Sequence, residues 1–542
     1  MKLGKVFTQK TQFADRQRIN FSFHKVLICG LVLAFVSLSC AIGVLDQNDP
    51  LFNAPNGVGL WSPTPSINFP TDRPMITETI DSPITILNPL TSDIPTPPSV
   101  PLDTAPLLYY TQAGDTLPVV ASRFGVDAAE ISSPPGSLPA TGLLNPNTLL
   151  IIPHKLVNTT SSAKIIPDSE LVYSPSAIDF DIETFVNDAG GYLSTYEMWL
   201  GSTAWTSGAG IVQRVAVENS INPRLLLALL EYQSGWVYGQ PSNPLQEDYP
   251  MGKVDISMKD LYSQLAWAVN QLSTGYYGWR EGWKTDIQFS DGVTARLAPD
   301  LNSGTVALQY YFSRVYDDTP SWLAALDTNS GIAALYEEMF GNSWLRAMDV
   351  EPLYPPNLSQ PDMILPFLIG QIWSYTGGPH GAWERDGSRA AIDFAPGSTE
   401  SGCVPSNAWI VAAAPGLIVR ANHSAIVQDL DGDGNEQTGW NILYLHVEDM
   451  RVDVGDWVES SDLLGHPSCE GGIATGTHVH IARKYNGEWI SADGPLPFIL
   501  SDWAVHAGSI PYEGTMTKGS DTITSSIYGS RESLIVRSRG NP

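Results

Sequence analysis

Two histidines stand two residues apart in Gly476-Thr477-His478-Val479-His480. In an extended strand the side chains at i and i+2 leave the same face, so both imidazoles can enter one cavity, which a helix would not permit. Thr477, Val479 and Ile481 suit a strand, and Gly476 suits a turn leading into it. Far upstream lie His380, in Gly377-Gly378-Pro379-His380, and Asp393, in Ala391-Ile392-Asp393-Phe394. Imidazole nitrogen together with a carboxylate oxygen is the donor set of catalytic zinc, whose three protein ligands leave a fourth position to water. Taken alone, a His-x-His pair fits two half-exposed strand histidines equally well, so the surrounding chain has to decide.

The elements that must position these residues begin near Leu353, where the composition turns to β segments punctuated by glycine: Ile410 to Val419, Trp440 to His446 and Val452 to Val458. Short strands between turn residues predict an antiparallel sheet domain. The order His380, Asp393, Val411-Ala412-Ala413-Ala414-Pro415-Gly416, Leu443-Tyr444-Leu445-His446, Val454-Gly455-Asp456-Trp457-Val458, Leu464-Gly465-His466 and Gly476-Thr477-His478-Val479-His480 resembles the lysostaphin/LytM family of zinc endopeptidases that cut peptidoglycan peptides, over roughly residues 365–510. The commonest family pattern has a histidine four residues before the aspartate, where this chain has Arg389. His380, thirteen residues before Asp393, resembles instead the arrangement of the staphylolysin-type, β-lytic branch. The resemblance implies that His380, Asp393 and His480 bind one Zn2+, which brings the pKa of water down to about 7, and that His446 and His478 flank that water. His446, two after Tyr444 and so expected on the same strand face, would accept the proton; His478 would stabilise the oxyanion or protonate the leaving amine, the division between the two staying open. No HExxH helix motif is present. Silent LytM-like relatives that activate other hydrolases form the alternative class, but they generally lose zinc-binding residues, and all five positions are intact here.

At 542 residues with a net charge of −28, the chain calls for several domains and argues against nucleic acid as a partner. Residues 1–25 are basic, and 26–45 form an uninterrupted apolar or small run long enough to span a bilayer. An uncleaved anchor with its basic end in the cytoplasm is the favoured reading, ahead of a cleaved signal and of lipidation at Cys40. Each of these exports the rest to an extracytoplasmic, cell-envelope location. In that oxidising compartment a Cys403–Cys469 disulfide is favoured over two free thiols. Residues 46–106, with thirteen prolines, read as an extended spacer.

Residues 107–155 carry Ala113-Gly114-Asp115-Thr116-Leu117, Phe124-Gly125-Val126 and a closing Leu149-Leu150-Ile151-Ile152-Pro153. The set resembles a LysM module, departing from it at Ser132-Ser133-Pro134-Pro135. The resemblance implies a βααβ fold that binds glycan through loops near Gly114, Asp115, Thr116 and Asn145. Residues 169–350 show helical periodicity, with Asn222-Pro223 a capped helix start. There Glu231-Tyr232-Gln233-Ser234 faintly resembles the Glu-Ser motif of lysozyme-like transglycosylases, but the position before Ser is Gln233, which cannot be a general acid.

Within the peptidase-like region, 360–515, Asp429, Asp431 and Asp433 precede Gly434 as in a calcium loop, with Trp440 where a bidentate Glu belongs. A weak Ca2+ site and a polar hairpin turn are equal readings. Residues 516–542 read as a polar tail that adds an edge strand and frays.

The whole predicts a multidomain chain: a small βααβ module, a mainly α-helical middle domain and an antiparallel β metallopeptidase domain, exported and acting on peptidoglycan.

Overall fold

Strand β1 (Leu107–Tyr110) pairs antiparallel with β2 (Leu149–Ile152) in the computed structural model, which describes residues 105–134 and 136–539. Helix α1 (Leu117–Phe124) lies between them, started by the Thr116 hydroxyl, which accepts from Val119 N–H, and ended by Gly125 at φ +63. Val120, Phe124, Leu150 and Ile152 form its small core. The second expected helix is a single 3-10 turn, Ala128–Glu130.

The middle of the chain is helical, as its periodicity predicts, built on α2 (Ile182–Ala189), α3 (Gly208–Asn219), α4 (Pro223–Ser234), α5 (Leu261–Arg280) and α6 (Ser303–Val315). The Asn222 side chain caps α4 by accepting from Arg224 N–H at 3.0 Å. Leu225 to Leu230 are all fully buried, so α4 is the central helix and is apolar on every side there. Gly275 lets α5 lie against α6, since a Cβ there would come within 2.7 Å of the Ala307 Cα.

The C-terminal sheet uses β3 (Ile372–His380), β4 (Ala391–Pro396), β5 (Gly416–Asn422), β6 (Ala425–Asp429), β7 (Trp440–Leu445), β8 (Trp457–Val458), β9 (Val479–Tyr485), β10 (Glu488–Trp489) and β11 (Leu534–Val536). Its order is β8-β5-β6-β7-β9-β4-β3-β11, every pair antiparallel, with β10 folded back on β9. Strand β7 is buried along its whole length. Ile442 and Tyr444 enter the sheet domain's own core, whereas Leu443 and Leu445 join the core of the helical domain. That is why Trp440-Asn441-Ile442-Leu443-Tyr444-Leu445 reads as a nearly continuous apolar run and not as an alternation.

The helical domain therefore covers one face of the sheet, and the seam carries buried polar contacts among its apolar ones. Arg280 at the end of α5 makes a two-pronged ion pair with the buried Glu488, Nε to Oε1 and Nη2 to Oε2 both at 2.8 Å. Tyr276 Oη donates to the same carboxylate at 3.0 Å, and Arg280 Nη1 donates to the Ala113 carbonyl of the N-terminal module. Trp489 Nε1 donates to the Asn219 carbonyl.

The C-terminal stretch, expected to add an edge strand and fray, forms a hairpin, Gly514–Lys518 with Asp521–Thr524, and then supplies the edge strand β11 beside β3. Met516, Ile523 and Ile535 are its buried anchors in the core of the sheet domain. The basic start, the 26–45 anchor and most of the 46–106 spacer lie outside the described residues. Among the described residues no helix is long and apolar enough to cross a membrane.

Candidate metal centre

Strand register brings the donors together. On β9 His480 lies directly opposite Asp393 of β4, and on β3 Gly377 lies opposite Asp393 from the other side. A Cβ on Gly377 would overlap Asp393 Oδ2, so glycine makes the room in which the carboxylate sits. The β3–β4 ladder then shifts register between Gly377 and His380, which turns His380 toward the same place.

His380 Nε2, His480 Nδ1 and Asp393 Oδ1 are separated by 3.0, 3.2 and 3.3 Å. Ligands about 2.0–2.1 Å from a tetrahedral zinc lie about 3.3–3.4 Å apart, so the three atoms fit one such ion. Asp393 Oδ1 is buried and accepts no hydrogen bond, as a ligand atom awaiting a cation would. Both remote imidazole nitrogens are occupied: His380 Nδ1 donates to the Gly378 carbonyl at 2.8 Å and His480 Nε2 to the Ala382 carbonyl at 2.9 Å. Neutral rings so held turn lone pairs inward. Burial pushes the Asp393 carboxyl up, but the electrostatic pull of the facing His380, then of His478, with His480 beside them, outweighs it and holds the group well below the usual range. Burial also acts on the imidazoles: His480 is pushed down, whereas at His380 the Asp393 charge wins and raises it.

Two more imidazoles border the cluster. His478 Nε2 is 3.7 Å from Asp393 Oδ1, and the His446 ring is centred 4.5 Å from that of His478. Each donates through Nδ1 to a carbonyl at 2.7 Å, His446 to Glu470 and His478 to Gly476, which leaves each Nε2 as an acceptor. Burial, then the neighbouring His478 and His480, push His446 down to about 3, so it is neutral near pH 7. The expectation that His446 shares a strand face with Tyr444 fails. Strand β7 ends at Leu445 and His446 takes φ +65, so the histidine faces the site while Tyr444 points into the core, its hydroxyl on Ala413 N–H and Gln428.

Arg389 is outside the cluster, donating to the Gly508 carbonyl. Tyr512, unremarked in the sequence, stacks on His380 with ring centres 4.1 Å apart; its isolated place in a polar loop carries no local signal. The Cys403–Cys469 disulfide is present. It ties the segment before Glu470 to the 402–404 segment, which also bonds Thr477 beside His478.

The residues expected to bind glycan are placed differently. Asp115 is fully buried, accepting from Tyr109 Oη at 2.6 Å, Arg123 Nη1 at 2.7 Å and Gln112 N–H at 2.8 Å. It holds the module's turn together and cannot meet a ligand. Gly114 packs on Arg280 of the helical domain, Thr116 caps α1, and the Asn145 side chain accepts from Asn357 N–H, in the segment that follows that domain. In that domain Glu231 accepts from Val237 and Tyr238 N–H at the end of α4, a structural use of the carboxylate in the lysozyme-like motif. Asp429, Asp431 and Asp433 do come together, with ligand oxygens within 4.8 Å of one another.

Residues 164–356 match the family model described as LasA, N-terminal domain, which replaces the faint lysozyme-like reading of this region. Protease LasA of Pseudomonas aeruginosa strain PAO1 is 25% identical over 384 residues, covering 65% of this chain and 83% of that protein. Beta-lytic metalloendopeptidase of Achromobacter lyticus is 24% identical over 155 residues, covering 27% of this chain and 39% of its own. Among solved structures, the M23 metalloprotease pseudoalterin from the deep sea is 24% identical, covers 31% of this chain and 96% of its own, and has a TM-score of 0.27. The catalytic domain of lysostaphin from Staphylococcus simulans is 22% identical, covering 22% and 87%, with a TM-score of 0.17. The chain is thus similar to a LasA protease over an alignment longer than its helical segment, and its relatives are metallopeptidases.

Proposed function

We propose that this protein is an exported zinc metalloendopeptidase that hydrolyses peptide bonds in peptidoglycan stem or cross-bridge peptides. The observation that carries the reading is the convergence of His380 Nε2, His480 Nδ1 and Asp393 Oδ1 within 3.3 Å of one another, bordered by His446 and His478. The three would hold the ion, which supplies a Lewis acid for the scissile carbonyl and acidifies water to about pKa 7. His446 accepts the water's proton at Nε2, because its Nδ1 proton is pledged to Glu470 and its low basicity in the resting enzyme keeps the ring neutral. His478, whose side chain is the most exposed of the four at 14%, faces the substrate side and stabilises the oxyanion or returns the proton to the leaving amine. Export is supported by the disulfide, a bond of oxidising compartments, and a membrane anchor at 26–45 is part of the same proposal. One relative's name, beta-lytic metalloendopeptidase, supports a lytic endopeptidase.

Digestion of purified sacculi by the zinc-loaded chain, with mass analysis of the fragments beside His480→Ala, tests this. New peptide termini in the wild type alone are expected. Intact sacculi, or cleavage that survives His480→Ala, would sink the assignment. Whether the LysM-like module contributes wall binding is read in the same preparation, by competing sacculus binding with soluble chitooligosaccharide.

A further inference from the structure

The turn between β6 and β7 places three carboxylates together without a counter-charge. Asp429 is fully buried at the end of β6, whereas Asp431 and Asp433 are exposed above it. Among the described residues none of the three is in an ion pair. The two nearby cations are spent on a different acid: Arg420 Nη2 and Lys484 Nζ both donate to Glu436 at 3.1 Å.

An acidic cluster alone would indicate nothing, but a second group points the same way. Asn441 lies directly opposite Asp429 in the β6–β7 ladder, hence on the same face with Cβ atoms about 5 Å apart. It is completely buried. Its Nδ2 donates to the Thr438 carbonyl at 2.7 Å, at the base of the same turn, and its Oδ1 has no donor. A buried amide oxygen left without a partner has lost its water and gained nothing in exchange, so an orphan here calls for an occupant.

We propose that this turn is a calcium site, with Asp429, Asp431, Asp433 and the orphan Asn441 Oδ1 as side-chain ligands and water completing the six to eight oxygens calcium takes. The usual bidentate glutamate is missing because its position is Trp440, and Asn441, one residue later, supplies the replacement oxygen from within the strand. An all-oxygen set selects a hard cation, and without the bidentate ligand the affinity falls in the range of extracellular modules, Kd about 10⁻⁴–10⁻³ M. The ion would clamp β6 to β7, the strand that leads directly into His446. This inference does not depend on the reaction proposed above.

The test is binding to the full, zinc-loaded chain in calcium-depleted buffer. Trp457 lies against Gly432 in the turn, so terbium bound there is excited through its indole, and CaCl2 titration displaces the signal. Expected is one calcium-displaceable terbium site that raises the melting temperature in millimolar CaCl2. It should be lost in Asp431→Asn/Asp433→Asn, weakened at least tenfold in Asn441→Ala and retained in Asn441→Asp. Because Asp431 and Asp433 are exposed, the double variant should melt like wild type without calcium, which separates loss of binding from loss of fold. No saturable calcium binding up to 10 mM, or affinity unchanged in the double variant or in Asn441→Ala, would overturn the proposal.

Discussion

His380 Nε2 and His480 Nδ1 face each other at 3.0 Å while the opposite nitrogen of each ring donates to a backbone carbonyl. Once both rings are neutral, two lone pairs and the Asp393 carboxylate converge on one point, an arrangement that a cation relieves. Removing metal by dialysis against a chelator is expected to abolish cleavage and lower the melting temperature. Zinc at a hundredfold its Kd should restore about 2.7 kcal/mol of stability. Melting curves that do not move between metal-stripped and zinc-loaded chain would contradict the fit of these three residues.

Separate variants should divide the histidines into two groups. His480→Ala is expected to lose bound zinc and all activity. His446→Ala is expected to keep its zinc and lose about 10²–10⁴-fold in kcat, the usual size of a proton-transfer contribution. Metal content by mass spectrometry beside kcat distinguishes the two, and zinc loss in His446→Ala would remove it from the proton-transfer role.

Gly377 has no side chain to contribute, yet it is expected to be as sensitive as a residue that supports a ligand. Alanine there forces its Cβ onto Asp393 Oδ2. Zinc affinity of Gly377→Ala should fall about 10–100-fold, the range found when ligand supports are disturbed. Competitive zinc titration reads this directly, and wild-type affinity would show that β3 yields enough to admit the methyl group.

A carboxyl outside the metal centre sets a pH dependence of stability. Burial raises Glu281 to about 7, against the pull of its hydrogen bond from Trp283 and of Arg389. The folded state then holds a proton between pH 4.5 and 7 that the unfolded state has released, so this contribution is fully present below about 4.5 and is lost as pH rises through 7. Its size is up to about 3 kcal/mol. Urea melts at pH 5 and 8 should show that decline in the wild type and a flatter profile in Glu281→Gln; identical slopes would refute it.

The disulfide closes a separation of 66 residues, so serine at both Cys403 and Cys469 is expected to cost about 3–4 kcal/mol. Because Cys469 adjoins Glu470, whose carbonyl orients His446, kcat should fall more than zinc content. Denaturant melts and steady-state rates on the double variant check both parts.

The pairing of His478 with His480 is legible because a strand's period of two needs no tertiary knowledge, and His380 with Asp393 is legible through resemblance. The orientation of His446 is not, because a non-glycine residue at φ +65 leaves no mark in local sequence. Asp115 misleads for a related reason: its turn looks ligand-facing until Tyr109 and Arg123, one on each side of it in sequence, are seen to enclose it. The strand and helix types follow from periodicity, but the contact between Arg280 and Glu488 joins residues 208 apart and depends on a docking that neither segment encodes alone.

Arg280 touches all three parts of the described chain, through Ala113, through its own helix and through Glu488. A protease that cut the chain between the helical and β portions would therefore not release an independent enzyme. It would leave Glu488 as a lone charge beside newly wetted Trp489 and Leu443, and the liberated sheet would need a new cover before it could remain in solution.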